Sequence, residues 1–295
     1  MQLAWLDRNE YPFHSNYYAI NGHSLHYLDE GKGEPILFAH GTPSWSFDFR
    51  NVIKRLKPDF RCLAIDHIGF GLSDKPEQYD YTTRQHAATL AKFIVDLQLS
   101  NLTLILHDFG GPIGMQVAMQ YPHLIQRIVI LNSWLWSSES DPEFIKLRRI
   151  LKCPIMHWLY SLNFSARFIL PGSFGDHKLS KKLLLQYTKP FSKRSERHGT
   201  LGFLKSLIHD QDWFESLWSR RAILASKPML LIWGMKDPVI KPGNLQKFQS
   251  GFPQAEVIRV ETAGHFPQEE QPEVVAEAIL NFMHSTPGGE WYSER

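Results

Sequence analysis

The residues of this chain whose types and order could do chemistry together are two aspartates and a histidine, each just beyond a run of strand-forming residues. His107-Asp108-Phe109-Gly110-Gly111 follows the apolar run Leu102 to Leu106, Asp237 lies four residues past the run Met229 to Trp233, and Gly264-His265-Phe266 comes after Val257 to Val260. A strand that turns sharply into a helix holds one side chain bare at the carboxyl edge of a sheet, and small residues must follow it to avoid strand and helix. Gly110 and Gly111 meet that need behind Asp108. The usual turn of this kind carries serine at the exposed position and a small residue two places earlier, where this chain has Asp108 and the larger Leu106. Taken singly, Asp108 could cap the helix expected from Gly111 to Gln120, Asp237 before Pro238 could be a turn residue, and His265 is one of 14 histidines. Their shared placement, in the order nucleophile, acid, histidine, points to a catalytic triad. A further turn, Phe38-Ala39-His40-Gly41-Thr42-Pro43, closes an earlier strand with the His-Gly pair that lines oxyanion sites.

A carboxylate with a reference pKa near ~3.9 is ionised at neutral pH, so Asp108 needs no base in order to attack. It is weak toward acyl groups but suits displacement at saturated carbon, which leaves an alkyl-enzyme ester. His265 would then deprotonate a water that hydrolyses the ester, with Asp237 fixing the histidine tautomer. The backbone N–H groups of Phe109 and Thr42 are expected to hold the oxyanion of that second step, worth roughly 2.7 to 4 kcal/mol per donor in comparable sites.

A doubly wound, mostly parallel sheet would position these groups. Tyr17 to Ile20, Asn21-Gly22 and Ser24 to Leu28 read as a hairpin, Asn-Gly supplying the positive φ angles of a two-residue turn. Pro35 to Ala39, Arg61 to Ile65, Leu102 to Leu106, Arg127 to Leu131, Met229 to Trp233 and Val257 to Val260 show almost no polar alternation, as strands covered on both faces do. Helical stretches such as Arg84 to Leu97, Gly111 to Gln120 and Glu273 to Met283 lie between or after them. From about Ser137 to Pro228 only helical segments occur, punctuated by prolines, too long an interval for a loop. The expected division is a core of residues 1–136 and 223–295 with a helical subdomain, 137–222, inserted in it. Thr286 onward reads as a frayed tail.

Lys and Arg total 32 against 30 Asp and Glu, scattered along the chain, which gives no electrostatic footprint for nucleic acid or an anionic membrane. A small, neutral partner is the expectation. The two cysteines, Cys62 and Cys153, are far apart, and Cys62 falls in a strand-like run, so a buried thiol is expected rather than a disulfide. Neither a leader nor an apolar stretch of the ~20 residues that span a bilayer is evident, which suggests a cytoplasmic protein.

The sequence resembles haloalkane dehalogenases and their near relatives in the α/β-hydrolase superfamily. The resemblance is carried by Tyr27-Leu28-Asp29-Glu30-Gly31, His40-Gly41-Thr42-Pro43-Ser44-Trp45-Ser46, Asp66-His67-Ile68-Gly69-Phe70-Gly71-Leu72-Ser73-Asp74-Lys75-Pro76, the Asp108 turn through Gly114, Leu131-Asn132-Ser133-Trp134, Trp233 to Asp237, and Gly264 to Glu269. It implies an eight-stranded sheet of the α/β-hydrolase fold under a helical cap, a small hydrophobic substrate, water as co-substrate, no metal and no organic cofactor, in a monomer or homodimer. It also implies that Asp237 is the acid; Asn132 stands where some relatives place a Glu acid and cannot fill that role.

The leaving group is where the pattern departs. Dehalogenases usually place a Trp after the nucleophile to donate an N–H to halide, and Phe109 has none; a second donor is often an Asn in the His-Gly turn, where this chain has Thr42. Trp134 is the first candidate to compensate, with Trp136, Trp158, Trp213 and Trp218 behind it. An epoxide hydrolase would instead need cap tyrosines, and Tyr160 and Tyr187 are the two in the insertion. A β-lactone-cleaving relative shares the same turn, and a binding protein that has kept a hydrolase scaffold is the reading of another class.

Overall fold

The computed structural model of the chain describes residues 3–139 and 142–286; apart from Thr286 itself, the expected tail lies outside them. Its centre is an eight-stranded sheet in the order β1-β2-β4-β3-β5-β6-β7-β8. The strands are β1 (Asn16–Ile20), β2 (His23–Glu30), β3 (Pro35–Ala39), β4 (Arg61–Ile65), β5 (Leu102–His107), β6 (Ile125–Leu131), β7 (Met229–Gly234) and β8 (Glu256–Val260). β2 runs antiparallel to β1 and to β4, and every other pairing is parallel. Asn21 and Gly22 take φ of 50° and 78°, the left-handed pair a two-residue hairpin turn requires.

The central strands read as unbroken apolar runs because both of their faces are covered. Leu37, Leu104, Leu106, Ile128, Ile130 and Leu231 point to one face with helices α2 (Thr83–Asp96), α3 (Gly110–Gln120) and α10 (Pro242–Gly251). Their neighbours Ile36, Phe38, Ile105, Val129, Leu131 and Ile232 point to the other, with α1 (Arg50–Leu56) and α12 (Pro272–Ser285). Thr82 caps α2, its hydroxyl accepting the N–H of Gln85 at 3.2 Å. The edge strands β1 and β8 keep exposed positions, as one-sided strands do.

Between β6 and β7 the described residues form α4 (Pro142–Leu151), α5 (Pro154–Ser161), a π-helical turn at Ser165–Ile169, α6 (Leu170–Gly172), α7 (Lys181–Thr188), α8 (His198–His209) and α9 (Gln211–Ser219), with no strand among them. The short α11 (Pro267–Glu270) precedes α12. Both cysteines are free thiols, Cys62 buried in β4 and Cys153 exposed before α5. Among the described residues no helix is long and apolar enough to cross a membrane.

Candidate active site

Asp108 sits between β5 and α3 with φ of 49°, in the left-handed region that side chains bearing a Cβ disfavour and that Asp tolerates better than most. Two hydrogen bonds to its carbonyl hold it there, from the Gly111 N–H at 2.9 Å and the Ser133 hydroxyl at 2.7 Å. The glycines behind it are obligatory: a Cβ on Gly110 would run into the carbonyl of Ala39, and one on Gly111 into the Ser133 hydroxyl. Leu106, too large for the usual turn, is accommodated because α3 has Gly114 where its side chain packs; a Cβ there would meet the Leu106 methyls. Across from the turn, Gly41 leaves room for the Asp108 carboxylate, which a Cβ at that position would overlap.

The carboxylate is buried and partnered on both oxygens. Its Oδ1 accepts the backbone N–H of Thr42 at 2.8 Å, and its Oδ2 lies 3.4 Å from His265 Nε2. The other ring nitrogen of His265, Nδ1, is 2.7 Å from Asp237 Oδ2. Asp237 is itself fixed: Oδ1 accepts the N–H groups of Val239 (2.7 Å) and Ile240 (2.9 Å), and Oδ2 accepts the Asn132 amide at 2.8 Å. Asn132 is held in turn by the backbone of Gly234, accepting its N–H at 2.8 Å and donating to its carbonyl at 3.2 Å. The loop carrying His265 is tied down from three sides. The His265 N–H donates to the Ser173 carbonyl at 2.8 Å, and His107 Nε2 donates to the His265 carbonyl at 2.7 Å. Glu270 accepts the N–H groups of Gly264 (2.7 Å) and Gly175 (2.8 Å), joining this loop to the segment before α7.

Burial opposes charge on all three groups, and the ion pairs overcome it. Desolvation would raise Asp108 and Asp237, but His265 and the N–H donors hold both below the ordinary carboxylate value. Desolvation would likewise lower His265, but Asp237 first and Asp108 second carry it up to about 10. At neutral pH an imidazolium therefore rests between two carboxylates. Glu270 goes the other way: burial pushes its carboxyl up to about 7 despite its backbone donors.

Above Asp108 lies a cavity of about 80 Å³. The sheet's end supplies Thr42, Phe109, Trp134 and His265 to its wall, and the helices between β6 and β7 supply Tyr160, Ser165, Ile169, Leu204 and Leu207. The hydroxyls of Thr42 and Ser165 are buried and satisfied by no protein group. Burial, and then the charge of Asp108, raise the Tyr160 hydroxyl above the ordinary phenol value. Trp134 packs edge-on against Phe109, whose opposite neighbour, Phe203 of α8, stacks on it at 4.4 Å.

The sequence and the fold have counterparts among known proteins. Residues 34–272 match the family model described as the alpha/beta hydrolase fold. The chain belongs to the α/β-hydrolase family. It is 32% identical over 276 residues to haloalkane dehalogenase 2 of Mycobacterium tuberculosis, covering 93% of this chain and 96% of that protein. It is 34% identical over 285 residues to a cis-3-alkyl-4-alkyloxetan-2-one decarboxylase of Shewanella oneidensis, covering 93% and 90%. The structure of a haloalkane dehalogenase from Agrobacterium tumefaciens superposes with a TM-score of 0.82 at 26% identity, covering 93% of this chain and 97% of the other. The protein is thus an enzyme of haloalkane dehalogenase-like kind.

Within this hydrolase the structure brings together Asp108, Asp237, His265, Thr42, Phe109 and Trp134, which the sequence singled out. Other leaving-group candidates fall elsewhere. Tyr187 turns away from the cavity and donates to Glu269, which leaves Tyr160 alone of the tyrosine pair. Trp136 and Trp218 pack on each other at 5.0 Å, Trp213 on Phe214 at 5.3 Å, and Trp158 faces outward, so none of the four lines the cavity. The sequence reading missed Ser165, the Asn132 to Asp237 hydrogen bond and the Glu270 tie. A second carboxylate in the Gln268-Glu269-Glu270 run was visible in the sequence, but nothing marked it as a backbone acceptor.

Proposed function

We propose that Asp108 displaces a leaving group from a saturated carbon of a small, apolar substrate, giving an alkyl ester that water activated by His265 then cleaves. The observation that carries this reading is the Asp108 carboxylate held facing the cavity with His265 Nε2 3.4 Å from it. In the first step the carboxylate oxygen bonds to carbon as the leaving group departs with the bonding pair. Esterification removes the charge of Asp108, and with it one of the two supports that keep His265 protonated. The imidazole gives up its proton to solvent and becomes a base when one is needed. It then takes a proton from water as the oxygen adds to the ester carbonyl. The tetrahedral oxyanion is received by the N–H groups of Thr42 and Phe109. On its collapse the departing alkoxide takes the proton from the His265 imidazolium and leaves as alcohol, and the new carboxyl group passes its own proton to His265, which restores the carboxylate. Residues 137–222 act in this scheme as a cap that closes the cavity over the core of 1–136 and 223–295.

Haloalkane dehalogenation is the first reaction to assign, with Trp134 as the indole donor to halide, in keeping with the named relatives. One observation favours a second reading: Thr42, Tyr160 and Ser165 bring three hydroxyls to the cavity against a single indole, a donor set suited to a departing oxygen. The decarboxylase relative is named for an oxetan-2-one, whose leaving group is such an oxygen. Halide release from 1,2-dibromoethane and 1-bromobutane, diol formation from styrene oxide and consumption of a cis-dialkyl β-lactone, run in parallel, separate these. All activity should vanish in Asp108→Asn; turnover by that variant at the wild-type rate would overturn the proposal.

A further inference from the structure

The segment that turns Tyr160, Ser165 and Ile169 toward the cavity has a second, outward face studded with large apolar side chains. Ile155 and Trp158 of α5 are 59% and 58% exposed, Leu162 follows on the same stripe at i+7, and Phe168 is 62% exposed. Ile150, at the end of α4, is exposed beside them, since α4 packs on α5. The surface continues onto α7: Asn163 donates to the Thr188 carbonyl at 3.1 Å, and Leu185 and Lys189 stand exposed there. Apolar side chains gathered on one face in this way mark a docking surface.

Charge says what kind. The whole chain is nearly balanced, 32 cations against 30 anions, but between residues 144 and 209 thirteen Lys and Arg face only two Asp and Glu. Arg149, Lys152, Arg167 and Lys189 are exposed around the apolar side chains, and none has an ion pair among the described residues, whereas Arg148 and Lys182 pair with Glu139 and Asp7. A second copy of this face would bring cations against cations. Nucleic acid would satisfy the cations but offers nothing to cover Ile155, Leu162 and Ile150.

We propose that this face docks on a bilayer surface containing anionic lipid, with Trp158, Ile155, Leu162 and Phe168 entering the headgroup boundary and Lys152, Arg149, Arg167 and Lys189 meeting the phosphates. The balanced charge of the full sequence conceals this, because an acidic remainder cancels the basic insertion. Docked so, the helices that roof the cavity rest on the lipid, and an apolar substrate dissolved in it need not cross water. The inference stands whichever leaving group the site takes.

Flotation of the full chain with two vesicle preparations tests it, one of phosphatidylcholine alone and one of phosphatidylcholine and phosphatidylglycerol in equal parts. The protein should float with the anionic vesicles, stay behind with the neutral ones, and be released by added salt. Lys152→Gln with Arg167→Gln should weaken partitioning about thirtyfold, roughly fivefold per cation removed. Trp158→Ser with Phe168→Ser should abolish flotation while leaving the circular dichroism and thermal midpoint as in the wild type. Absence of flotation with anionic vesicles, or equal flotation of wild type and both double variants, would overturn the proposal. So would a wild-type dimer in sedimentation that the Trp158→Ser, Phe168→Ser pair dissolves.

Discussion

Replacing Asp108 by Asn should convert His265 from a permanent cation into a group that titrates near neutrality. His265 is carried from an ordinary 6.5 up to about 10 by two carboxylates, and Asp108 Oδ2 approaches its Nε2 to 3.4 Å. Two unit charges at that distance, with an effective dielectric of about 20, attract by roughly 5 kcal/mol. At about 1.36 kcal/mol per unit that is an upper bound of some three to four pKa units, and even half of it brings His265 to about 8. The same change shifts stability. A histidine raised on folding contributes stability that is complete below its unfolded value of 6.5 and is lost as pH climbs to about 10, so the variant should lose less stability over that window. Ring-labelled histidine followed by NMR reads the titration directly, with the signal identified by its loss in His265→Gln. If His265 in Asp108→Asn titrates within one unit of its wild-type value, the switch from acid to base on esterification is wrong.

Three other substitutions probe the supports. Gly41→Ala places a methyl where the Asp108 carboxylate lies, and kcat/KM should fall at least about 100-fold; retained turnover would mean the carboxylate acts from another position. Asn132→Leu removes the side-chain acceptor of the Gly234 N–H, one of the two donors to the Gly234 carbonyl and the amide partner of Asp237 Oδ2, which keeps only His265, and urea unfolding should show a loss of about 1 to 3 kcal/mol. Glu270, raised on folding from 4.5 to about 7, favours the folded state fully only below 4.5 and loses that contribution as pH rises to about 7. Glu270→Gln should flatten the slope of unfolding free energy against pH across that window, and an unchanged slope would show that the carboxyl ionises as freely as in the unfolded chain.

The sheet was legible because its chemistry is local. Strands covered on both faces are apolar along their length, and Asn21-Gly22 strongly favours the left-handed two-residue turn it forms. Helices α1 and α10 escaped the reading because they bury little: Val52, Ile53 and Leu56 with Arg50 in one, Leu245 and Phe248 in the other. Neither makes a long periodic stripe. Asp108, Asp237 and His265 could be read from their places at strand ends, which a parallel sheet brings to one edge. The cavity roof could not. Whether Tyr160 or Tyr187 faces inward depends on packing between segments far apart in sequence, such as the contact of Tyr187 with Glu269, 82 residues away. The hydrogen bond from Asn132 to Asp237 likewise spans 105 residues and has no local signature.

The most direct test is intact-protein mass spectrometry of His265→Gln after exposure to 1-bromobutane. The expected result is a stable mass increase of one butyl group, located by digestion on the peptide that contains Asp108 and absent in Asp108→Asn. A protein that stays unmodified under conditions where the wild type releases bromide, or that carries the group on another residue, would contradict nucleophilic attack by Asp108.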